Sequence, residues 1–189
     1  MLATFNARTE TMAEKPMFRD SFKRRRCIIP ASGFFEWTDE ADGKQPHLFT
    51  AADGSPILAF AGLWDRWIDP VTKEEILSCT VIVSGASEWM TPYHDRMPVL
   101  LRAGDFDAWL NGPLGADALR PAAESALREW PVSRRVNRAG AGEQRLGHKR
   151  QPFHKLGNPK VGARRSWVSF AVRLRTSSPT RSRSAGRRH

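Results

Sequence analysis

Cysteine, long apolar runs and C-terminal acids are all scarce in this 189-residue chain, and each scarcity excludes a class of protein. The two cysteines, Cys27 and Cys79, are too few for a disulfide framework or a Cys-rich metal site. No apolar run is long enough to cross a bilayer, and no basic-then-apolar leader opens the chain, so we expect a cytoplasmic protein without a membrane segment. Both cysteines stand inside apolar segments, which predicts buried free thiols.

Acidic residues almost vanish at the point where the composition of the chain changes. Residues 1–138 hold 17 Lys and Arg against 19 Asp and Glu, whereas residues 139–189 hold 13 basic residues and the single acid Glu143. The net charge of +10 therefore belongs to the tail and says little about the body. We expect one domain over residues 1–138 and a disordered, Arg-, Gly-, Ser- and Pro-rich tail over 139–189. A basic nucleic-acid-binding arm and a translated out-of-frame segment remain open as alternatives for the tail.

The first half of the body predicts an α+β fold. Residues 15–26 are expected to form a helix with one apolar side, made by Met17, Phe18 and Phe22. Two strands are expected on either side of a kink at Ser32–Gly33. A hairpin is then expected around Asp53–Gly54, because this turn signal separates two apolar runs.

The second half alternates further strands with short helices. ILSCTVIVSG, at residues 76–85, is a continuous β-branched run of the buried type, and VLL at 99–101 is expected to be another strand. Helices are expected in DFDAWL at 105–110 and in residues 117–130, the second interrupted by Pro121. PVSRRV, at 131–136, is the candidate last strand.

The run PYHDRMPVLL carries a histidine, an acid and an arginine in three adjacent positions. Pro92 and Pro98 favour extended backbone on either side, which predicts a rigid loop leading into a buried strand. Loops held by a scaffold often carry functional residues, so His94 is a candidate proton shuttle, with Arg96 on the same face. Asp95 is expected to turn toward solvent or a local salt bridge. The alternative is a solvated turn with ordinary surface charges.

Two further sets of polar residues stand in apolar or extended segments. Glu36 lies within the aromatic run FFEW, where burial would disfavour its charged form and raise its pKa toward the range useful for acid–base work. The alternative is that strand alternation puts Glu36 on the solvent face of an edge strand. Asn6 and Arg8 alternate, so on an extended strand they point the same way, which suits one anionic ligand such as a phosphate.

An ordered set of segments closely resembles the SRAP family, the abasic-site processing proteins also called SOS-response-associated peptidases. The segments are FNARTET at 5–11, RRRCIIPASGFFEW at 24–37, KQPHLF at 44–49 and YHDRMPVLL at 93–101, with AGLWDRW at 61–67 and DAWL at 107–110 in support. The resemblance covers roughly residues 5–138. It implies a mixed, mainly antiparallel sheet or partial barrel with short helices, and single-stranded DNA with abasic sites as the partner. We expect a monomer that uses no metal and no small-molecule cofactor.

The resemblance also implies roles for individual residues. Family members capture an abasic site through an N-terminal cysteine, whose α-amine attacks the ring-opened sugar aldehyde and whose thiol closes a thiazolidine ring. Asn6 would orient the sugar, Glu36 would manage protons during imine formation, and His94 would assist ring opening or cross-link reversal. Arg8 and Arg96 match positions that hold DNA phosphates. Two tryptophans are candidates to stack on bases or wall the groove, with core packing as the alternative: Trp37 and Trp67.

The chain departs from the family pattern at two places. The family begins Met-Cys-Gly-Arg, whereas this chain begins MLATFNART, so we expect the N-terminal segment and its cysteine nucleophile to be missing, leaving an unpaired sheet edge. Cys27 and Cys79 cannot substitute, because their nitrogens are amides and no thiazolidine can form. SGASEW, at residues 84–89, stands where the family usually carries a Thr and an Asn before its loop.

Functions of different classes therefore stay open. The first is an abasic-site processing enzyme of the DNA damage (SOS) response that keeps the acid–base half of its site. The second is a catalytically inactive remnant or a non-covalent single-stranded DNA binder. The third is a peptidase acting on other proteins, but the sequence has neither a Ser-His-Asp order nor an HExxH helix, so peptidase chemistry in this family is interpreted as self-processing.

Overall fold

Short strands and short helices make up the part of the chain that the structure, a computed structural model, describes, which is residues 6–137. The strands are β1 (Asn6–Arg8), β2 (Arg26–Ala31), β3 (Phe34–Glu40), β4 (Gly43–Ala51), β5 (Leu58–Ile68), β6 (Glu75–Gly85), β7 (Arg96–Pro98) and β8 (Leu127–Pro131). The α-helices are α1 (Arg19–Arg24) and α2 (Phe106–Leu110), and single 3-10 turns occur at Ala103–Asp105, Ala116–Ala118, Glu124–Ala126 and Arg134–Asn137. The predicted α+β class is confirmed. The expected tail, residues 139–189, lies outside the described residues.

The described strands form two sheets rather than a closed barrel. The larger sheet has the order β1-β6-β5-β2, and β7 also pairs with β6. The smaller sheet has the order β3-β4-β8. Within residues 6–137 the pairing of β1 with β6 is parallel, while the other strand pairs are antiparallel, as the prediction of a mixed, mainly antiparallel sheet required.

The larger sheet lies in the middle of the molecule, with an apolar cluster on each of its faces. One cluster joins it to the helices, and contains Ala7, Leu63 and Ile82 from the strands with Phe22 and Trp109 from α1 and α2. The other joins it to the smaller sheet, and contains Phe60, Val81 and Val83 with Phe34 and Phe49. Strand alternation explains the division, because consecutive residues of β6 point to opposite faces.

Arg26 attaches the two helices to the larger sheet. Helices of six and five residues are too short to be stable alone. The Arg26 guanidinium donates to the carbonyls of Trp109 at 3.3 Å and Leu114 at 2.8 Å, and it lies 4.5 Å from the Phe22 ring centroid. The Trp109 indole N–H donates to the Cys27 carbonyl at 2.9 Å. The two bonds from Arg26 satisfy carbonyls at and just beyond the end of α2, which no further helical turn would satisfy.

Three predictions for the first half of the chain need correction or confirmation. The helix is shorter than expected, and Met17 is exposed while Phe18 and Phe22 are buried. The two strands about Ser32–Gly33 are confirmed as β2 and β3. The hairpin around Asp53–Gly54 is wrong: the turn forms, but β4 and β5 enter different sheets. The paired hairpin is β3–β4, closed after Asp42 by Gly43 at a φ of 115°, a conformation that glycine adopts without strain.

Of the predictions for the second half, those for β6 and α2 are confirmed. β6 extends over the predicted buried run, and α2 falls within the predicted DFDAWL helix. The strand after the loop is β7, which uses Arg96–Pro98, so the expected strand at 99–101 is misplaced by three residues. Residues 117–130 do not form a helix, because their apolar side chains pack as two 3-10 turns and then as β8 on the edge of β4. PVSRRV leaves the sheet after Pro131 and forms a 3-10 turn.

Cys27 and Cys79 are both free and partly buried, and both pack against the cluster between the sheets. Burial, with a smaller contribution from Cys79, raises the pKa of the Cys27 thiol to about 12. Among residues 6–137, no helix is long and apolar enough to cross a membrane.

Candidate active site

Glu36 is a buried carboxyl on the inner face of the smaller sheet. It lies on β3 between Phe34 and Thr38, pairs with His47 across the hairpin, and is only 4% exposed. The stacking of Phe34 on Phe49, with ring centroids 4.9 Å apart, turns this face of β3 inward. Burial and, to a smaller extent, the negative charge of Asp95 together raise the pKa of Glu36 to about 8. Glu36 is therefore protonated at neutral pH, and it can give or take a proton near physiological pH.

His94 belongs to a loop that begins and ends on the larger sheet. Residues 86–95 join β6 to β7, and the Ala86 N–H closes the loop by donating to the Asp95 carbonyl at 3.0 Å. The Asp95 side chain is 76% exposed, and its Oδ1 lies 2.7 Å from His94 Nδ1. The loop therefore turns Asp95 toward solvent, into a local ion pair with its neighbour.

The Nδ1 atom of His94 has two polar neighbours that suit different protonation states. The Arg96 backbone N–H donates to this nitrogen at 2.9 Å, which requires Nδ1 to carry no proton. When Nδ1 is protonated, it can instead donate to Asp95 Oδ1 at 2.7 Å. Each state of the imidazole thus has a partner within the loop, which is the property a proton shuttle needs.

Arg8 and Arg96 meet around Glu10 at one end of β6. The register pairs Arg8 with Val83 and Arg96 with Gly85, so β1 and β7 bring the two guanidinium groups to the same end of the strand. Arg96 Nη1 donates to Glu10 Oε1 at 2.5 Å. Partial burial acts to raise the pKa of Glu10, but a backbone hydrogen bond, Arg96 and Arg8 together lower it. This group of three side chains has a net positive charge, since two cations face one anion.

Asn6 shares the Arg8 side of β1. Ala7, between them, is fully buried in the cluster on the helix side of the larger sheet. Asn6 and Arg8 are paired with Val81 and Val83, which belong to the cluster between the two sheets. Asn6 is partly exposed and Arg8 is exposed. Both therefore point toward the side of the larger sheet on which the smaller sheet and Glu36 lie.

Trp37 and Trp67 do not join the other candidate residues. Trp37 follows Glu36 on β3, so it lies on the outer face of the smaller sheet, where its indole N–H donates to Asn137 Oδ1 at 2.7 Å. Trp67 is 42% exposed and lies at the far end of β5, opposite Ile76. Trp67 is four residues after Leu63 on β5, so it shares the face that packs on the helix side of the larger sheet. Neither side chain therefore lies beside Glu36 on the inner face of the smaller sheet, and their role in stacking on bases or walling the groove stays a prediction.

The sequence-based reasoning missed a polar network beside Glu36. His47 lies opposite Glu36 in the register of the β3–β4 hairpin. Its ring contacts Glu129 on β8 and Thr38 on β3. The Asp42–Gly43 turn signal indicates a hairpin here but not its register, because Asp-Gly at the two central turn positions would pair Glu36 with Phe49, whereas the observed turn at 41–42 pairs it with His47. No pattern in the sequence indicated Glu129, since residues 117–130 were expected to be helical.

The chemistry of the site is that of proton transfer beside cations. Within residues 6–137, no group of three or more His, Cys, Asp or Glu side chains could hold a metal ion. What the fold does assemble is a buried carboxyl, an imidazole, an amide and two guanidinium groups between and beside two sheets. Such an α+β protein combines groups that exchange protons with groups that bind an anionic ligand.

The chain belongs to the SOS response associated peptidase (SRAP) family. The family model matches residues 1–139, which include all the candidate residues above.

Named relatives and a solved structure agree with this membership. The abasic site processing protein YoqW of Bacillus subtilis (strain 168) is 36% identical over 138 residues, which cover 70% of this chain and 61% of that protein. The abasic site processing protein HMCES of Xenopus tropicalis is 36% identical over 115 residues, or 52% of this chain and 34% of that protein. A crystal structure of a protein from Bacteroides thetaiotaomicron has a TM-score of 0.64 at 31% identity, covering 75% of this chain and 66% of that one. The chain thus spans less than two thirds of YoqW and about one third of HMCES.

Proposed function

We propose that this chain binds single-stranded DNA at abasic sites, in the DNA damage response, and promotes proton transfer there through Glu36 and His94. The observation that carries the proposal is the burial of Glu36, which raises its pKa to about 8. A carboxyl in that range can protonate the ring oxygen of an abasic deoxyribose and later accept a proton, whereas an ordinary surface glutamate stays ionised. The names of relatives such as YoqW and HMCES support the choice of abasic DNA as substrate.

The other candidate residues take roles that suit their chemistry. Asn6 would orient the sugar through its amide, and His94 would assist ring opening through its imidazole. Arg8 and Arg96 would bind the flanking phosphates, for which guanidinium groups are well suited. We assign no base-stacking role to Trp37, because its indole N–H is bonded to Asn137 on the outer face of the smaller sheet.

Covalent capture by thiazolidine formation requires a residue that has both a free α-amine and a thiol. The nitrogens of Cys27 and Cys79, the two cysteines of the sequence, are peptide amides. Burial also raises the pKa of Cys27 to about 12, so its thiolate is scarce. Neither of these two cysteines can therefore capture an abasic site as a thiazolidine. We do not propose a peptidase that acts on other proteins.

The test uses the full chain and a fluorescent single-stranded oligonucleotide with one abasic site. Anisotropy titrations compare this oligonucleotide with the same sequence carrying a base at that position. We expect several-fold tighter binding to the abasic oligonucleotide. In Glu36→Gln and His94→Ala the preference should fall, while the general, salt-sensitive affinity remains, because Arg8 and Arg96 are intact.

A matched control is Glu88→Gln, which removes an exposed carboxylate from the same loop as His94 and should leave the preference unchanged. A denaturing gel of the same mixtures reports covalent capture. Equal binding to both oligonucleotides would overturn the proposed recognition of abasic sites. A heat-stable adduct would show covalent capture through an amine other than the amide nitrogens of Cys27 and Cys79.

A further inference from the structure

A second acid–imidazole pair lies partly buried next to Glu36. The side chains of His47 and Glu129 are 13% and 18% exposed, and His47 Nδ1 contacts Glu129 Oε1. The other ring nitrogen of His47 lies 3.0 Å from Thr38 Oγ1. Both nitrogens of the ring therefore have partners, one on β8 and one on β3, and the imidazole connects the two outer strands of the smaller sheet.

Tyr93 joins this pair to the loop that carries His94. Its ring lies edge-on to the rings of His47 and Phe49, with centroids 5.0 Å and 5.1 Å away, and it also packs near Trp89. The Tyr93 hydroxyl hydrogen-bonds to Glu129. Burial raises the pKa of Tyr93, and the Glu129 charge and this hydrogen bond raise it further. Glu129 thus contacts one residue from β4 and one from the loop.

Each residue that Glu129 contacts is a direct neighbour of a residue of the candidate active site. His47 is the cross-strand partner of Glu36, and Tyr93 immediately precedes His94. We propose that Glu129 is a positioning residue, which holds the Tyr93–Asp95 segment of the loop against the smaller sheet and so keeps His94 and Glu36 together in a site closed to water. The consequence for DNA rests on the proposed function, whereas the positioning itself does not.

Stability alone is a poor reason for this arrangement. A buried ion pair loses its hydration, and replacing such a pair with apolar side chains of similar size is often neutral or stabilising. The surroundings of the pair are already apolar, since Phe49 and Trp89 pack against Tyr93. The polar contacts of Glu129 with His47 and with Tyr93 are what an apolar residue could not supply, because together they tie the loop to the smaller sheet.

The titration of Glu36 reports whether the loop is held. The charged and titratable groups on the elements packed near it are His47 from β4, Glu129 from β8, and Tyr93, His94 and Asp95 from the loop. If the loop loosens, water reaches Glu36 and Asp95 moves away from it. Both changes favour the charged carboxylate, so the titration midpoint of Glu36 must fall.

The experiment measures that midpoint by NMR of 13C-labelled side-chain carboxyls in the full chain, with Glu36→Gln to assign the signal. Glu129→Leu removes both contacts, whereas Glu129→Gln keeps oxygen and nitrogen atoms that can bond to His47 and Tyr93. We expect the wild-type midpoint near 8, a fall of about one pH unit in Glu129→Leu, and recovery of most of that difference in Glu129→Gln. Tyr93→Phe, which loses only the hydroxyl, should fall partway.

Two further measurements separate positioning from folding and from function. Thermal unfolding is followed for every variant. The double variant His47→Phe/Glu129→Leu removes both members of the pair, so that neither is left without the other. The titration midpoint of Glu36 should still fall in this variant although its fold is retained. Glu124→Leu, an exposed glutamate on the turn before β8, is the control and should change nothing. If the titration midpoint of Glu36 is unchanged in Glu129→Leu and in the double variant, the proposal is overturned, whatever the stability of these variants. Failure of wild-type protein to prefer abasic DNA would instead overturn the proposed function and leave the positioning standing.

Discussion

The burial of Glu36 makes the stability of the fold depend on pH. In the unfolded chain a glutamate titrates near the ordinary value of 4.5, whereas in the fold burial raises the pKa of Glu36 to about 8. Between these two values the folded state holds a proton that the unfolded state has released. The contribution of Glu36 to stability is therefore fully present below about pH 4.5, falls as the pH rises, and is lost above about pH 8.

The size of the effect follows from the difference of about 3.5 between the two pKa values, because each unit corresponds to about 1.4 kcal/mol. The largest loss is thus about 5 kcal/mol between pH 4.5 and pH 8. Water that enters around the ionised carboxylate would relieve part of this cost, so we expect a measured loss of about 2–5 kcal/mol. Glu36→Gln keeps the shape and cannot ionise, so it should lack this component of the pH profile.

Urea denaturation of the full chain at pH 5, 7 and 9 measures this difference. The free energy of unfolding of Glu36→Gln, minus that of the wild type, should become more positive as the pH rises, because only the wild type must bury a charge. Glu124→Gln, an exposed glutamate, should follow the wild type in parallel. If the profiles of Glu36→Gln and wild type also run in parallel, the carboxyl is hydrated in the fold and the reasoning fails.

Three other substitutions or modifications test separate features of the structure. Glu10→Gln should bind single-stranded DNA about threefold more tightly at low salt, with a salt slope steeper by up to about 0.7, because Arg96 loses its internal anion; an unchanged slope in anisotropy titrations would contradict this. Gly33→Ala should lower the free energy of unfolding, measured in urea, by about 1–3 kcal/mol, since its Cβ would lie 2.5 Å from the Phe49 carbonyl oxygen. A variant as stable as the wild type would show that the backbone of β4 can shift to accommodate the Cβ. Cys27 should react with iodoacetamide at pH 8 far more slowly than in urea-unfolded protein, because burial raises the pKa of its thiol to about 12; equal rates by peptide mass spectrometry would place the thiol in solvent.

The local fold was predictable where the sequence pattern is strong. The β-branched run of β6 and the strands about Ser32–Gly33 could be placed from the sequence, because continuous apolar runs and a glycine break leave few alternatives. Asp53–Gly54 misled, since a turn signal states that the chain reverses but not that the flanking strands pair. β4 instead takes β3 and β8 as partners, and this choice depends on long-range packing such as Phe34 on Phe49.

Within the candidate site, residue types were easier to predict than orientations. The sequence left open whether Glu36 faces solvent, because alternation gives the period of β3 without saying which face meets the larger sheet. The same uncertainty applied to Trp37, which must point away once Glu36 points inward. Glu129 was out of reach, because residues 117–130 have an apolar pattern compatible with a helix and only the edge of β4 makes them a strand.

Glu36 and His94 are carried by different layers of the molecule. Glu36 belongs to the smaller sheet, while the His94 loop is closed on β6 and β7 of the larger one, and among residues 6–137 no strand pairing joins the two sheets. The separation of these two groups is consequently set by the thickness of the apolar layer, in which Phe34 meets Phe60 with centroids 6.0 Å apart. A change of side-chain volume at Phe60 would therefore alter the separation of Glu36 and His94 without touching any polar group. The core of this fold thus sets the geometry of the candidate site as well as the stability of the protein.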